Sequence, residues 1–163
     1  MKERTTMTTV LVNGKRQDHV REGLVRVITG SIEFPSRGNA DIIRITDEVR
    51  EHVAASGVGN GTVTVFAPGA TGAVTTIEYE PGVVADLDRA LEQVAPRRTP
   101  YRHHARWGDD NGSAHVRAGL VGPSLTVPFQ SGRLLLGQWQ QIVILEFDTQ
   151  PRQREYVIQI VGE

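Results

Sequence analysis

GPSLTVPFQSGRLLLGQWQQIVILEFDTQPRQREYVIQIV, residues 122–161, holds four short apolar runs at 124–129, 132–136, 140–147 and 153–161. Gln130 to Gly132, Gly137 and Thr149 to Pro151 separate them at the spacing of hairpin turns, which predicts consecutive antiparallel strands. ILEF, Ile144 to Phe147, is apolar enough to be a central strand.

Just upstream, residues 115–121 (HVRAGLV) read as one more strand. That places Val116, Ala118 and Leu120 on a core face and His115, Arg117 and Gly119 on the polar face. Towards the N-terminus, LVRVITGSIEF at 24–34 alternates Ile28, Ile32 and Phe34 against Thr29, Ser31 and Glu33, another half-buried strand, and PSRGN turns it. DIIRI at 41–45 is a short strand. Thr46 then caps a helix with Asp47 and Glu48 in its first turn, Val49 and Val53 on its inner face and Gly57 at its end. Val63 to Ala67 and Ala73 to Glu80 read as strands around the turn PGATG, 68–72. A second helix opens at Pro81, carries Val84, Leu87, Leu91 and Val94 as a core stripe, and stops at Pro96. The sum is a single α+β domain over residues 21–163, mainly antiparallel β-sheet with two helices, preceded by a polar extension at 1–20.

Composition removes whole classes of function. Eighteen Lys and Arg against nineteen Asp and Glu leave a net charge of -1, so no overall field attracts nucleic acid or an anionic membrane. Zero cysteines exclude disulfides, thiolate zinc sites and thiol nucleophiles. Neither a signal-length apolar core nor a membrane-length apolar run occurs, which points to a cytoplasmic chain. GVGNG at 57–61 lacks the Gly-Lys-Ser/Thr that a phosphate loop needs and reads as a helix stop.

Chemistry concentrates at HHARWGDDNGSAH, His103 to His115, which gathers three of the five histidines and two adjacent aspartates. His19 and His52 lie outside it. A loop carrying Asp109, Asp110 and Asn111 can fold back to bring His104 beside His115, with His103 the weaker of the adjacent pair. Two histidines and a carboxylate with one open position form a catalytic zinc site. The same residues permit a metal-free arrangement in which His104 or His115 is a general acid/base oriented by Asp110, and equally a solvated loop closed by Asx turns.

Other residues admit a functional and a structural reading. PGATG can aim backbone N–H groups at an anion or be a plain turn. Arg117 and Arg133 can hold a phosphate or form surface ion pairs. Trp139 and Gln140 can line a pocket, or Trp139 can be core. Glu78 is a functional carboxylate or a polar-face strand residue.

The ordered motifs Ser-Leu-Thr-Val-Pro at 124–128, Gly-Arg-Leu at 132–134 and Gly-Gln-Trp-Gln at 137–140 resemble the YjbQ-like family, also described as the secondary thiamine-phosphate synthase family. The likeness extends through ITDEV at 45–49, TVFAPGATGAVTTIEYEPG at 64–82, the histidine segment and the terminal VIQIVGE, and covers roughly residues 24–163.

That resemblance implies a compact, sandwich-like α+β subunit in a homotrimer, with its histidine cleft close to a subunit contact. It further implies a weak thiamine-phosphate synthase reaction, in which a pyrimidine diphosphate is attacked by a thiazole phosphate and loses pyrophosphate. His104, Asp110, His115 and Arg133 are then the catalytic candidates. Thr71, Gly72, Glu78, Asn111, Arg117, Trp139 and Gln140 are the substrate-binding ones. A divalent metal, zinc or magnesium, would sit on His104, Asp110 and His115, and the partner molecule is a small phosphorylated metabolite. The alternative is a non-catalytic trimer that binds a metal or such a metabolite. Many relatives carry a histidine and hydroxyl residues where this chain has Gly69, Ala70 and Thr71, so backbone donors of the turn would replace that side chain here.

Overall fold

Eight strands and four helices follow one another along residues 23–163, the part of the chain that the computed structural model describes. They are β1 (Arg26–Ser36), β2 (Asp41–Arg44), α1 (Thr46–Ser56), β3 (Gly61–Phe66), β4 (Gly72–Glu78), α2 (Pro81–Val94), α3 (Arg102–Trp107), α4 (Gly112–Val121), β5 (Ser124–Gln130), β6 (Arg133–Leu134), β7 (Gln140–Glu146) and β8 (Arg152–Gly162). The polar extension at 1–20, with His19, lies outside the described residues.

All strand pairs are antiparallel and fall into two sheets, of order β1-β8-β3-β5-β6 and β2-β7-β4. The sheets face each other across a core that includes Val63, Val65, Ile142, Ile144, Ile158 and Ile160, with Val49 and Val53 of α1 closing it. The outer face of the smaller sheet, Ile42, Ala73, Val143, Leu145 and Phe147, is covered by Leu91 of α2 and by Ala114 and Ala118 of α4. β7 is therefore the middle layer, and Ile142 to Leu145 are all 0% exposed. Full burial of such side chains contributes roughly 1.5–3 kcal/mol each, so this strand anchors both cores.

The α+β sandwich matches the expectation, and β1 alternates as its pattern requires, with Ile32 buried and Ile28 and Phe34 packed against the core. Two readings are corrected. The stretch 115–121 is not a strand but most of α4, and α3 precedes it, so the fold has four helices rather than two. Ala114, Ala118 and Val121 recur at helical spacing and meet the sheet, while Val116 and Leu120 are 42% and 59% exposed. Thr46 is not a side-chain cap: Ile45 occupies that position, and the Thr46 hydroxyl accepts the Ile142 N–H at 2.9 Å. Gly57 does end α1, with φ of 65°. In the α2 stripe Leu91 is buried and Val84 and Leu87 are packed, but Val94, one residue short of the break before Pro96, is 68% exposed.

Candidate functional site

The chain between α2 and α4 is short, polar and tied down at both ends. Arg117, on the buried side of α4, sends Nε and Nη2 to the Ala95 carbonyl at 2.9 and 2.8 Å and Nη2 to Glu92 at 2.6 Å. It satisfies a carbonyl at the C-terminus of α2 that the helix leaves open, and supplies positive charge where the helix dipole favours it. Arg97 completes the cluster, donating to Glu92 at 2.8 Å and pairing with Asp88. Burial alone would raise the Glu92 carboxyl, but hydrogen bonds from Arg117 and from the Arg97 N–H overrule it and hold it below its ordinary range.

This anchoring fixes the segment PRRTP, 96–100, as one wall of a cavity of about 590 Å³. Arg97, Arg98, Thr99 and Pro100 form that wall, His104, Asp110 and Ser113 a second, and Asn39, Phe147 and Thr149 the floor at the end of β7. Arg98 is exposed and has no ion pair among the described residues, so its guanidinium is available to a ligand.

The histidines are placed by the turn between α3 and α4. Gly108, with φ of 72°, ends α3 and reverses the chain, which carries Asp109 and Asp110 back along the helix just left. His103 Nε2 stands 3.5 Å from Asp109 and His104 Nδ1 stands 3.9 Å from Asp110. The Gly112 N–H donates to His104 Nε2 at 3.2 Å, so in the neutral ring the proton resides on Nδ1, the nitrogen on the Asp110 side. Gly112 must be glycine there: a Cβ would meet Tyr101 Cβ at 2.5 Å and His104 Nε2 at 2.9 Å.

His104 and Asp110 are thus brought together, whereas His115 packs against His103, ring centroids 4.3 Å apart and planes tilted by 49°. The three residues expected to hold zinc do not surround one point. Among the described residues no group of three His, Cys, Asp or Glu side chains is placed to hold a metal ion. Asp110 itself is 96% exposed.

The remaining candidate residues are dispersed. Arg117 is 1% exposed inside the structural cluster above, and its strand-based placement on a polar face goes with the strand. The Thr71 hydroxyl accepts from Arg154 at 2.8 Å, and Arg154 itself pairs with the buried Glu146. Gly72 opens β4 beneath the Tyr156 hydroxyl. Asn111 precedes α4 with its side-chain oxygen buried and unpartnered among the described residues. Arg133 stands on the edge strand β6 of the larger sheet.

Glu78, Trp139 and Gln140 cluster at the other end of the smaller sheet, where Glu78 pairs with Gln140 in the β4–β7 register. Gln141 and Phe147 lie six residue steps apart along β7 and its extension, about 20 Å at strand rise. Trp139 is 64% exposed, so the core reading fails for it. The residues that sequence reasoning missed are Arg97 and Arg98. Their signal is the Pro-Arg-Arg-Thr-Pro run, two adjacent cations held between prolines that stop one helix and precede the next.

Two antiparallel sheets, a helical layer on the smaller one and an arginine–histidine cavity at a strand end define an α+β sandwich of YjbQ type. The family model described as UPF0047 protein YjbQ-like matches residues 30–163, and the chain belongs to that family. A UPF0047 protein of Archaeoglobus fulgidus is 39% identical over 118 residues, 72% of this chain and 89% of the relative. The crystal structure of a YbjQ-like protein of unknown function from Sulfolobus solfataricus P2 superposes with a TM-score of 0.81 at 28% identity, covering 86% of this chain and 100% of that one. A hypothetical protein from Aeropyrum pernix K1 gives 0.78 at 31% identity, covering 83% and 99%. Among the described residues no helix is long and apolar enough to cross a membrane.

Proposed function

We propose that the cavity between PRRTP and α3 binds a small phosphorylated metabolite, with Arg98 as its anion contact and His104 as a hydrogen-bond donor through Nδ1–H. One observation carries this reading: an arginine without an ion pair among the described residues and an imidazole whose protonated nitrogen faces a carboxylate share one cavity. Its volume lies in the range of small-molecule sites.

The condensation that the family resemblance implies suits this composition. In it the thiazole nitrogen forms a bond to the pyrimidine-bearing methylene carbon while that carbon's bond to the diphosphate oxygen breaks and pyrophosphate leaves. The step needs charge stabilisation at the departing diphosphate more than a strong base. Arg98 supplies fixed positive charge, and His104 Nδ1–H can donate to a phosphate oxygen. Asp110 would hold a magnesium ion, whose contribution when bound is further neutralisation of the diphosphate. The exposed apolar residues Val116 and Leu120 of α4 support a homotrimeric subunit contact close to this cavity.

The test is isothermal titration with inorganic pyrophosphate and Mg²⁺, paired with an assay for pyrophosphate release from the pyrimidine diphosphate and thiazole phosphate. The reading expects saturable binding that weakens at least tenfold in Arg98→Ala, and turnover that disappears in His104→Gln. Binding without turnover selects the non-catalytic metabolite-binding alternative. Absence of pyrophosphate binding overturns both.

A further inference from the structure

A second cavity, about 380 Å³, opens at the far end of the smaller sheet and is lined by Arg44, Glu78, Tyr79, Glu80, Trp139 and Gln141. Its chemistry is opposite to that of the first. Trp139 is 64% exposed and Tyr79 41% exposed, an unusual outlay of aromatic surface on one wall. The Tyr79 ring is held in place by its hydroxyl, which donates to the Ile42 carbonyl at 3.2 Å.

The charges around these rings are either spoken for or negative. Arg44 is paired with Asp47 at 2.7 Å, a carboxylate that Arg50 also engages at 2.9 Å. Glu80 accepts the Gly82 and Val83 N–H groups at the start of α2, so its charge serves that helix. Glu78 is exposed and has no ion pair among the described residues. The cavity therefore offers aromatic faces and a free carboxylate, and its one cation is already paired.

We infer that this cavity is a binding site for a small, flat organic cation that donates N–H hydrogen bonds, of amidinium, guanidinium or protonated amino-heterocycle type. The cation stacks on the electron-rich face of Trp139, worth most when water is excluded, while its N–H groups donate to the Glu78 carboxylate. An anion is repelled by Glu78 and finds no free guanidinium here. The inference stands apart from the phosphate reading, since the two cavities share no lining residue.

The experiment is isothermal titration of the unmodified chain with three probes: benzamidine, the uncharged benzamide of nearly the same shape, and inorganic pyrophosphate as a control for the other cavity. Benzamidine should bind saturably, and benzamide at least tenfold more weakly. Glu78→Gln and Trp139→Leu should each weaken benzamidine at least tenfold while pyrophosphate affinity and Tm stay as in the parent. Both side chains are exposed, so neither change removes core packing. Equal affinity for the charged and neutral probes, benzamidine binding that survives Glu78→Gln, or no benzamidine binding overturns the inference.

Discussion

Gly112 donates its backbone N–H to Nε2 of His104, eight residues earlier, so an imidazole from α3 closes the N-terminus of α4. Asn111, the residue at the usual capping position, makes no side-chain cap bond. One ring therefore terminates a helix through Nε2 and presents a proton to the cavity through Nδ1, and the two duties are separable by mutation.

His104→Ala should cost about 1 kcal/mol of stability, the ordinary loss of a helix cap, together with any turnover. His104→Gln keeps an acceptor for the Gly112 N–H but lacks the ring N–H that faces the cavity, so its unfolding midpoint should stay near the parent while turnover is lost. Thermal denaturation and the pyrophosphate-release assay read the two effects. Equal destabilisation of both variants would sink the capping assignment.

Arg117→Met should destabilise by on the order of 2–3 kcal/mol in urea unfolding, because it strands the Ala95 carbonyl and one side of Glu92. Glu92 is 40% exposed, which keeps the cost below that of a fully buried broken pair. Pyrophosphate binding should weaken as well, although Arg117 lines no part of the cavity, because Arg97 and Arg98 lose their anchor. Unchanged stability with weakened binding would instead place Arg117 in contact with the ligand.

Acid should act through Glu92 and Asp41. Burial works to raise the Asp41 carboxyl, but hydrogen bonds from the Arg37 side chain and N–H hold it below its ordinary value, as those from Arg117 and Arg97 do for Glu92. A carboxyl whose folded pKa lies below its unfolded one stabilises fully above the unfolded value and loses that contribution as pH falls through the folded one. Tm should therefore hold near neutrality and decline from roughly pH 5 downward. Glu92→Gln should flatten part of that decline; an identical acid limb in the variant would refute its role.

The sheets were legible because their signals are local. Ile142 to Leu145 are apolar on both faces, as a strand sandwiched between a sheet and helices must be, and β1 shows the plain alternation of a strand covered on one side. α4 was not. Val116, Ala118 and Leu120 alternate like a strand while Ala114, Ala118 and Val121 repeat like a helix, and Gly119 weakens the helical reading further. What decides between them is the sheet face waiting for two small residues, a tertiary fact. The site shows the same division. The His–Asp pairing was readable from the segment itself, whereas the packing of His115 against His103 depends on α4 being a helix. Arg98 could be raised above an ordinary surface arginine only once the cavity beside it was known.

Gly72 offers a final discrimination between a structural and a ligand-contacting role. A Cβ there would stand 2.5 Å from the Tyr156 hydroxyl, so Gly72→Ala should cost roughly 1–3 kcal/mol by overpacking. Tyr156 is 2% exposed and its hydroxyl has no hydrogen-bond partner among the described residues. Burial, followed by the Glu146 carboxylate, pushes its pKa up and keeps it protonated. Removing an unsatisfied buried hydroxyl loses no hydrogen bond, so Tyr156→Phe alone should change stability by less than about 0.5 kcal/mol, or improve it. It also makes room for the methyl group, so the double variant should recover most of the Gly72→Ala loss, a coupling of about 1 kcal/mol or more. Urea unfolding of the four proteins measures that coupling. If Gly72 instead lies against a ligand, Gly72→Ala will weaken pyrophosphate binding equally with Tyr or Phe at position 156, and the two losses will simply add.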